Sequence, residues 1–142
     1  MLAAVQALLG DDMAALGLRH VDDALGLAAL KAAPPSARLP AAYVVPIRET
    51  AGGNHLATAV RQRVQVSFGV LLVVARDGDP TGGRARASID AIATALRGRL
   101  LGWRPDDGWA PVTYAGAHLV AIEHGCAWHQ LSFQSSHTIS RR

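Results

Sequence analysis

The feature that most constrains this fold is the run VRQRVQVSFGVLLVVA at residues 60 to 75. Its even positions are apolar apart from Gln62, which is the two-residue period of a strand with one buried face. The odd positions are polar in the first half but apolar at Leu71 and Val73, so we expect the second half to be buried on both faces. A strand of this length would extend about 50 Å at roughly 3.3 Å per residue. Part of it is therefore predicted to project from the body as a long β-hairpin arm.

Helical periodicity is clearest over residues 84 to 100, where apolar side chains recur every three or four positions. Thr81 is a candidate N-cap for this helix, and Arg97 and Arg99 suit the negative C-terminal end of its dipole. Gly102 is expected to end it. The predicted buried positions are Ala85, Ile89, Ile92, Leu96 and Leu100.

The rest of the chain completes an α+β pattern. Helices are predicted over residues 2 to 16 and from Asp22 or Asp23, as the cap, to Leu30. Pro46 lacks an N–H, so the end of its strand is predicted to lie at an edge or a margin of the sheet. The other predicted segments are a short extended piece at 18–21, strands at 41–47, 112–122 and 126–139, a Gly-rich loop at 48–58 and a turn at 77–83. This order predicts one α+β domain over residues 1–142, with a mixed, mostly antiparallel sheet packed by two or three helices.

Composition agrees with a single folded domain. The chain has 142 residues, of which 50% are hydrophobic and 18% are charged. The N-terminus lacks the basic start of a signal peptide, no apolar run approaches a membrane span, and Cys126 is the single cysteine. We therefore expect a soluble protein made in the cytoplasm, without an internal disulfide. A formal charge of +3, with arginines scattered along the chain, argues against sequence-specific nucleic-acid binding.

A glycine-rich turn, GDPTGG at residues 78 to 83, lies between the long strand and a helix, as a phosphate-binding loop does. A P-loop places lysine and then serine or threonine after its glycines, but this chain has Arg84 and Ala85 there. We interpret the segment as a tight turn in which Pro80 sets φ and the glycines permit positive φ. No nucleotide or other cofactor is predicted.

A small cluster of histidine and cysteine was also tested as a metal site. His124, Cys126 and His129 are close in sequence, but a strand places His129 on the opposite face from the other two. No second pair with zinc-site spacing follows, so surface or interface histidines are the preferred interpretation. No serine elbow or acid/base pair is present either. We therefore predict a protein that is not an enzyme, with no catalytic, cofactor or metal residues.

The remaining candidates for function are contact residues. Arg61 and Arg63 share the polar face of the long strand, where they are either simply solvated or contact a neighbouring subunit or DNA phosphate. Trp103 and Trp109 either pack within the protein and hold their loop in place, or they are buried in an interface with a partner. Phe68 completes the set of candidate contact residues.

Five segments in chain order carry a resemblance to a known family. They are AAYVVPI at 41–47, GGN at 52–54, RQRVQVSFGVLLVV at 61–74, DPTGG at 79–83 and LLGWRP at 100–105. In this order they resemble phage tail terminator proteins of tailed phages and prophages. The resemblance covers most of the chain, from the first helix to the last hairpin.

The resemblance implies a structural virion protein, assembled in the host cytoplasm as part of the tail. Such a protein forms a homo-oligomeric ring, expected to be a hexamer, on the head-proximal end of the tail tube. There it ends tube polymerisation and offers a docking surface to the head-tail connector or neck protein, while DNA passes through the lumen without sequence-specific binding. No membrane contact is implied.

Two alternatives are compatible with the same residues. One is another head-tail joining protein, such as a neck or head-completion protein, which would also be small and ring-forming. The other is a small cytoplasmic domain that binds a nucleotide at the glycine-rich turn or a metal at the histidine and cysteine cluster. The second alternative predicts a bound nucleotide or metal in the purified protein, whereas the terminator interpretation predicts neither.

Overall fold

A computed structural model describes residues 1–30, 32–76 and 83–142, in which five strands form one sheet in the order β1-β2-β3-β5-β4. The strands are β1 (His20–Asp23), β2 (Ala41–Ala51), β3 (Val60–Ala75), β4 (Thr113–Glu123) and β5 (Cys126–Arg141). The short β1 runs parallel to β2, and the other neighbours are antiparallel. The predicted α+β class and mostly antiparallel sheet are confirmed.

The long strand has the predicted bounds and pairs along its whole length with β5, from Val60 opposite Arg141 to Ala75 opposite Cys126. Burial changes along β3 as the sequence pattern indicated. Residues 68 to 74 are buried, whereas most of residues 60 to 67 are exposed or half-buried. One strand therefore belongs to two parts of the molecule, a packed body and a solvent-exposed extension.

In the described part of the chain, four α-helices accompany the sheet: α1 (Leu2–Asp11), α2 (Met13–Leu16), α3 (Ala24–Ala28) and α4 (Gly83–Leu100). The first two replace the single helix predicted for residues 2 to 16, with a break at Asp12. Gly17 ends α2 with φ 78°, a conformation that glycine adopts without steric cost. Asp23 caps α3 as predicted, because its carboxylate accepts a hydrogen bond from the Gly26 N–H at 2.9 Å.

Helix α4 lies on one face of the sheet and buries all five of its predicted apolar positions. It ends at Leu100, and Gly102, the expected terminator, follows two residues later with φ 81°. The guanidinium of Arg99 pairs with the Asp12 carboxylate and so joins the end of α4 to the break between α1 and α2. The predicted cap at Thr81 lies outside the described residues.

Two hydrophobic cores hold the sheet. The larger core fills the space between the sheet and helices α1, α2 and α4, and it includes Phe68 stacked on Phe133 at 5.7 Å between ring centroids. The smaller core lies on the opposite face, where Tyr43, Val73 and Trp128 pack with partly buried side chains that include Leu27 and Leu30. Both cores lie at the same end of β3, which explains why its second half is apolar on both faces.

Several sequence-based boundaries differ from the structure by one or two residues, and the largest error follows residue 47. The loop predicted for residues 48 to 58 begins later, because β2 continues to Ala51 and pairs there with Val64. This part of the strand is exposed, which suits the polar side chains of Arg48, Glu49 and Thr50. Polar residues in a row are also typical of a loop, which is why a loop was predicted here. The strand also does not end near Pro46 as predicted, although β1 covers only residues 41 to 44 of β2 and a register shift follows the proline.

Strands β4 and β5 form a tight hairpin. Its two loop residues are His124 and Gly125, with φ 54° and 71°, and Glu123 pairs with Cys126 on either side. Positive φ at both loop positions is the geometry whose twist matches antiparallel strands. The predicted joint at residues 123 to 125 is therefore confirmed.

Candidate assembly surface

The exposed extension of the sheet is a three-stranded arm, defined here as residues 48–67 and 134–142. It consists of the distal parts of β2 and β5 on either side of the first half of β3. Neither core cluster includes a side chain from residues 48–67 or 134–142. The arm is therefore held mainly by its strand ladder and by local polar contacts.

The arginines that were predicted to be contact candidates take part in polar contacts on one face of the arm. Arg61 and Arg63 both lie exposed on this face, as predicted, and the Arg63 guanidinium donates to the Ser136 hydroxyl at 2.9 Å. On the same face the Gln65 amide donates to the Gln134 side-chain oxygen at 2.7 Å. Cross-strand pairs of this kind fix the register of β3 against β5.

Charge is distributed unevenly between the arm and the rest of the chain. The arm carries five arginines and a single acid, Glu49, although the whole chain has a formal charge of only +3. A surface of one sign favours partners of the opposite sign and repels another copy of itself. The arginines of the arm are Arg48, Arg61, Arg63, Arg141 and Arg142.

Asn54 organises the loop at the end of the arm. Its amide nitrogen donates to the carbonyl oxygens of Leu56 and Ala59 at 3.3 and 3.1 Å, and its side-chain oxygen accepts from the Arg61 N–H at 3.0 Å. Gln62 donates to the Gly52 carbonyl at 2.9 Å and closes the same loop. The Gly-Gly-Asn motif was noted in the sequence, but this role of Asn54 was not predicted. Asparagine next to glycine is nevertheless a known local signal for turns.

Exposed apolar side chains lie beside this loop. Val60 is 41% exposed and Ile139 is 44% exposed, and Leu56 of the loop is also exposed. Val60 pairs with Arg141 and Gln62 pairs with Ile139, so Val60 and Ile139 are diagonal neighbours on one face of the arm. We call Val60 and Ile139 the apolar tip.

The two tryptophans predicted to be contact candidates belong to the loop between α4 and β4. Trp103 is half-buried against the larger core, and its carbonyl accepts from the Val112 N–H at 2.8 Å. Trp109 stacks on His137 of β5, with 4.0 Å between ring centroids. Both side chains thus fasten the loop to the sheet, and Trp109 does so at the root of the arm. A role for either in contact with a partner stays a prediction.

Phe68 was included among the candidate contact residues, and its position argues against that role. Its side chain is 0% exposed and stacks on Phe133 in the larger core. Phe68 comes directly after the polar half of β3. The sequence alone therefore did not show whether Phe68 belongs to the arm or to the body. In the structure it is the first fully buried residue of the body.

A second apolar surface lies at the other end of the sheet, between α4 and β4. The groove has a volume of about 260 Å³ and is lined by Leu119 and Ile122 of β4 and by Ile89 of α4. Leu119 is 53% exposed and Ile122 is 52% exposed, which is unusual for large apolar side chains on an edge strand. We call this surface the α4–β4 groove. Its other lining residues are Arg76, Ala85, Arg86, Asp90, Ala127 and His129.

The imidazole of His129 forms part of this groove. Burial, reinforced by the nearby charge of His118, holds the pKa of His129 below its usual value, while Asp90 acts in the opposite direction. The ring is therefore neutral at pH 7. His129 therefore adds no positive charge to the groove, whose charged lining residues are Arg76, Arg86 and Asp90.

The residues tested for metal binding are separated in the structure. His124 lies in the hairpin turn, Cys126 is buried on the face of the smaller core, and His129 faces the α4–β4 groove. Within residues 1–30, 32–76 and 83–142, no group of three metal-ligating side chains is close enough to hold an ion. The glycine-rich turn examined for nucleotide binding lies almost entirely outside the described residues. No helix in the described part of the chain has the length and apolar character needed to span a membrane.

The fold is similar to that of a chain in the solved structure of the virion of a native gene transfer agent particle. The two share 21% sequence identity and superpose with a TM-score of 0.61, over 98% of this chain and 95% of that one. The similarity shows that the two chains share this arrangement of sheet and helices. No curated protein matches this sequence.

The family model described as phage tail terminator protein matches residues 3–142. This chain therefore belongs to the phage tail terminator family. It is a structural phage-tail protein and a component of the virion. The resemblance found in the sequence segments is confirmed.

Proposed function

We propose that this protein forms a ring on the head-proximal end of the tail tube, where it ends tube polymerisation and presents a docking surface to the head-tail connector. The resemblance implies six subunits. DNA passes through the lumen without being read in a sequence-specific manner. Membership of the tail terminator family supports this proposal, and the observation that carries it further is the exposed arm.

The arm is built in a way that suits contact with other subunits. It extends the sheet beyond both cores, yet its register is fixed by cross-strand hydrogen bonds and its loop is held by Asn54. A rigid exposed element loses little conformational entropy when it binds. Its backbone edges and apolar tip remain available for a neighbour.

The molecule is also asymmetric in the way that a terminator requires. A tube grows because each ring offers the next ring the same surface, so a cap must bind the tube through one face and present a different face outward. In this chain the basic arm and the α4–β4 groove lie at opposite ends of the sheet and differ in chemistry. Two unlike ends are compatible with a cap whose outward face differs from the surface that the tube offers to its next ring.

The proposal is tested by the oligomeric state and by the effect on tube growth. We expect light scattering over a concentration series to detect a closed oligomer, and negative-stain images to show rings with a central hole. Added to polymerising tail tube protein, the rings are expected to shorten the tubes and to appear at one end.

Three results would contradict the proposal. One is a strict monomer that neither binds tube ends nor changes tube length. A second is a ring that binds a connector but never a tube, which would favour another head-tail joining protein. The third is a monomer purified with stoichiometric metal or nucleotide, which would favour a small ligand-binding domain.

A further inference from the structure

In the described part of the chain, three hollows adjoin one another along the arm. The first, beside Gln65, has a volume of about 390 Å³. The second, beside Arg63, is also about 390 Å³, and the third, beside Arg61, is about 610 Å³. The first two share Arg63 and Ser136 in their lining, and the last two share Thr138. Because they are continuous, we call the three hollows together the basic trough.

The register of the sheet places the arginines and hydroxyl groups of the trough on one face. Arg61 lies opposite Ser140, and Arg63 lies opposite Thr138. Paired residues of antiparallel strands project to the same side of a sheet. This odd-numbered face of β3 carries the smaller core in the body, so it is the face away from α4. Glu49, the single acid of the arm, pairs with an even-numbered residue of β3 and therefore projects to the other face.

The permanently charged side chains that line the trough carry one sign. They come from β3, from the loop after α4 and from the end of the chain: Arg61, Arg63, Arg104, Arg141 and Arg142. The loop of Arg104 also contains Asp106 and Asp107, but neither lines these hollows, and the Asp106 carboxylate accepts a hydrogen bond from the Asp107 N–H at 2.8 Å. A cleft lined by charges of one sign concentrates ligands of the opposite sign. The trough therefore favours an anionic partner.

The trough is long and open, which suits a polymer better than a single anion. It follows β5 from Gln134 to Arg141, a length of roughly 23 Å at 3.3 Å per residue. Arg61 and Arg63 lie on the same side of β3 at roughly 6.6 Å from one another along the strand. A small anion would occupy one of these positions, whereas a chain with regularly repeated charges meets several arginines at once. The partner expected from this shape is a polyanion.

The uncharged lining of the trough distinguishes a phosphate backbone from an acidic protein surface. Hydroxyl and amide side chains lie between and beside the arginines, and they include Thr50, Gln65, Thr138 and Ser140. In protein–DNA complexes such side chains, together with arginine, make most of the contacts with phosphate oxygens. The centre of a protein–protein interface is instead rich in aromatic and other large apolar side chains. Along the trough, large aliphatic side chains occur only at the outer end, at Leu56 and Val60, among the described residues.

Aromatic side chains separate the double-stranded from the single-stranded form of the polymer. Proteins that bind single strands stack the bases on exposed aromatic rings. Among the described residues, the aromatic rings that line the trough are those of Trp109 and His137, and these stack on one another with 4.0 Å between centroids. A duplex keeps its bases stacked internally and presents its phosphates outward, so it needs no such rings. The lining therefore favours a duplex.

We propose that the basic trough binds the phosphate backbone of duplex DNA irrespective of base sequence. The inference rests on the proposed function, in which DNA passes through the ring, and it identifies the surface of each subunit that meets the DNA. Few arginines are available in one trough, so each contact is weak and salt-dependent, which permits DNA to slide along it. Several troughs in one ring act together, because binding at one raises the effective concentration of DNA at the others.

A salt series with charge-removing variants tests the proposal. Fluorescence anisotropy of a short labelled duplex measures the affinity of the parent, whose logarithm is expected to fall linearly with the logarithm of salt concentration. Arg61→Gln with Arg63→Gln removes two phosphate contacts per trough. We expect this variant to bind about tenfold more weakly or worse at low salt, with a slope that is shallower by about 2 for each trough engaged.

The matched control removes the same charge elsewhere. Arg19→Gln with Arg86→Gln changes two exposed arginines outside the arm and is expected to retain the affinity and the slope of the parent. Circular dichroism verifies that both variants fold. Equal losses in the two variants would overturn the inference, because binding would then follow net charge and not the trough. Absence of DNA binding by the parent would overturn it as well.

A lysine variant separates charge from side-chain geometry. Arg61→Lys with Arg63→Lys keeps both charges but loses the planar fork that arginine offers to a carboxylate. Release of counterions from DNA depends on charge, so this variant is expected to retain the salt slope and most of the affinity. A lysine variant as weak as the glutamine variant would contradict the proposed contact.

Three further probes test the class of partner. A duplex of shuffled sequence is expected to bind as tightly as the first, a single strand of the same length more weakly, and polyglutamate is expected to compete poorly. Preference for one sequence or for the single strand would refute a contact limited to the duplex backbone. Competition by polyglutamate at the same charge concentration as DNA would indicate an acidic protein partner instead and would also refute it.

The glutamine variant distinguishes this inference from the proposed function. Rings and capped tubes formed by a variant that no longer binds DNA would support both. Loss of rings together with DNA binding would place Arg61 and Arg63 in a contact between subunits and overturn the inference, while rings of the parent would still support the proposed function. A parent that binds DNA through the trough but forms no ring and caps no tube would defeat the proposed function alone.

Discussion

The two halves of β3 are stabilised by different interactions although they form one uninterrupted strand. Residues 68 to 74 are enclosed by two cores, so their side chains are fixed by packing. Residues 60 to 67 are fixed by cross-strand hydrogen bonds and by the Asn54 loop, with large side chains left in solvent. Stability should therefore depend on the body half, and assembly on the arm half.

The largest expected difference between the halves is in the free energy of unfolding. Phe68→Ala removes a fully buried ring stacked on Phe133, and we expect it to destabilise the protein by about 3–5 kcal/mol. Arg61→Ala, in the exposed half of the same strand, is expected to stay within about 0.5 kcal/mol of the parent. Urea denaturation measures both, and equal losses would refute the division of β3 into two regions.

Trp109 tests how strongly the arm is joined to the body. Trp109→Ala removes the stack on His137 at the arm root, a contact of a kind that contributes about 0.5–1.5 kcal/mol. We expect lower protection of β5 amides beyond residue 134 in hydrogen exchange, with little change near Phe133. Uniform loss of protection along β5 would instead show that arm and body open as one unit.

A smaller and more local effect is expected at the end of the arm. Asn54→Ala removes the oxygen that accepts from the Arg61 N–H and the donor to two loop carbonyls, each worth about 1 kcal/mol. Amide exchange at Arg61 is expected to accelerate while the urea midpoint barely changes. Asn54→Asp keeps the acceptor and should retain much of the protection at Arg61.

The smallest expected effect is a pH dependence confined to the body. The pKa of His129 is lowered in the folded state, chiefly by burial, so the unfolded chain binds a proton more readily. Stability linked to this group is present above its unfolded pKa of about 6.5 and is lost as pH falls below that value. His129→Gln should flatten the fall in melting temperature between pH 7 and pH 5, and an unchanged slope would show that other groups control it.

Sequence reasoning was most successful where a period persisted over many residues. The bounds of β3 and the buried positions of α4 followed from alternation and from helical spacing, since each apolar side chain adds to the same pattern. It failed at residues 48 to 51, where polar side chains occur in a strand whose faces are both exposed. Local composition then resembles that of a loop, and only the partner strand shows otherwise.

The candidate surface was predicted only in part. Arg61 and Arg63 share an exposed face as expected, whereas Phe68 is enclosed in the core. Leu119 and Ile122 were treated as ordinary strand residues, because nothing in their own segment shows whether another element covers them. Their exposure follows from the position of β4 at the edge of the sheet and from the distance that α4 leaves beside it.

The sequence by itself determined the fold class, the long strand, the main helix and the family resemblance, because these depend on regular spacing and on the order of short segments. Only the tertiary structure decided where β3 leaves the body, which side chain belongs to the core, and that arginines distant in sequence line one trough. Those properties depend on which strands lie side by side in the sheet. Strands that are distant in sequence become neighbours through packing of the whole chain, and a local sequence pattern does not contain that information.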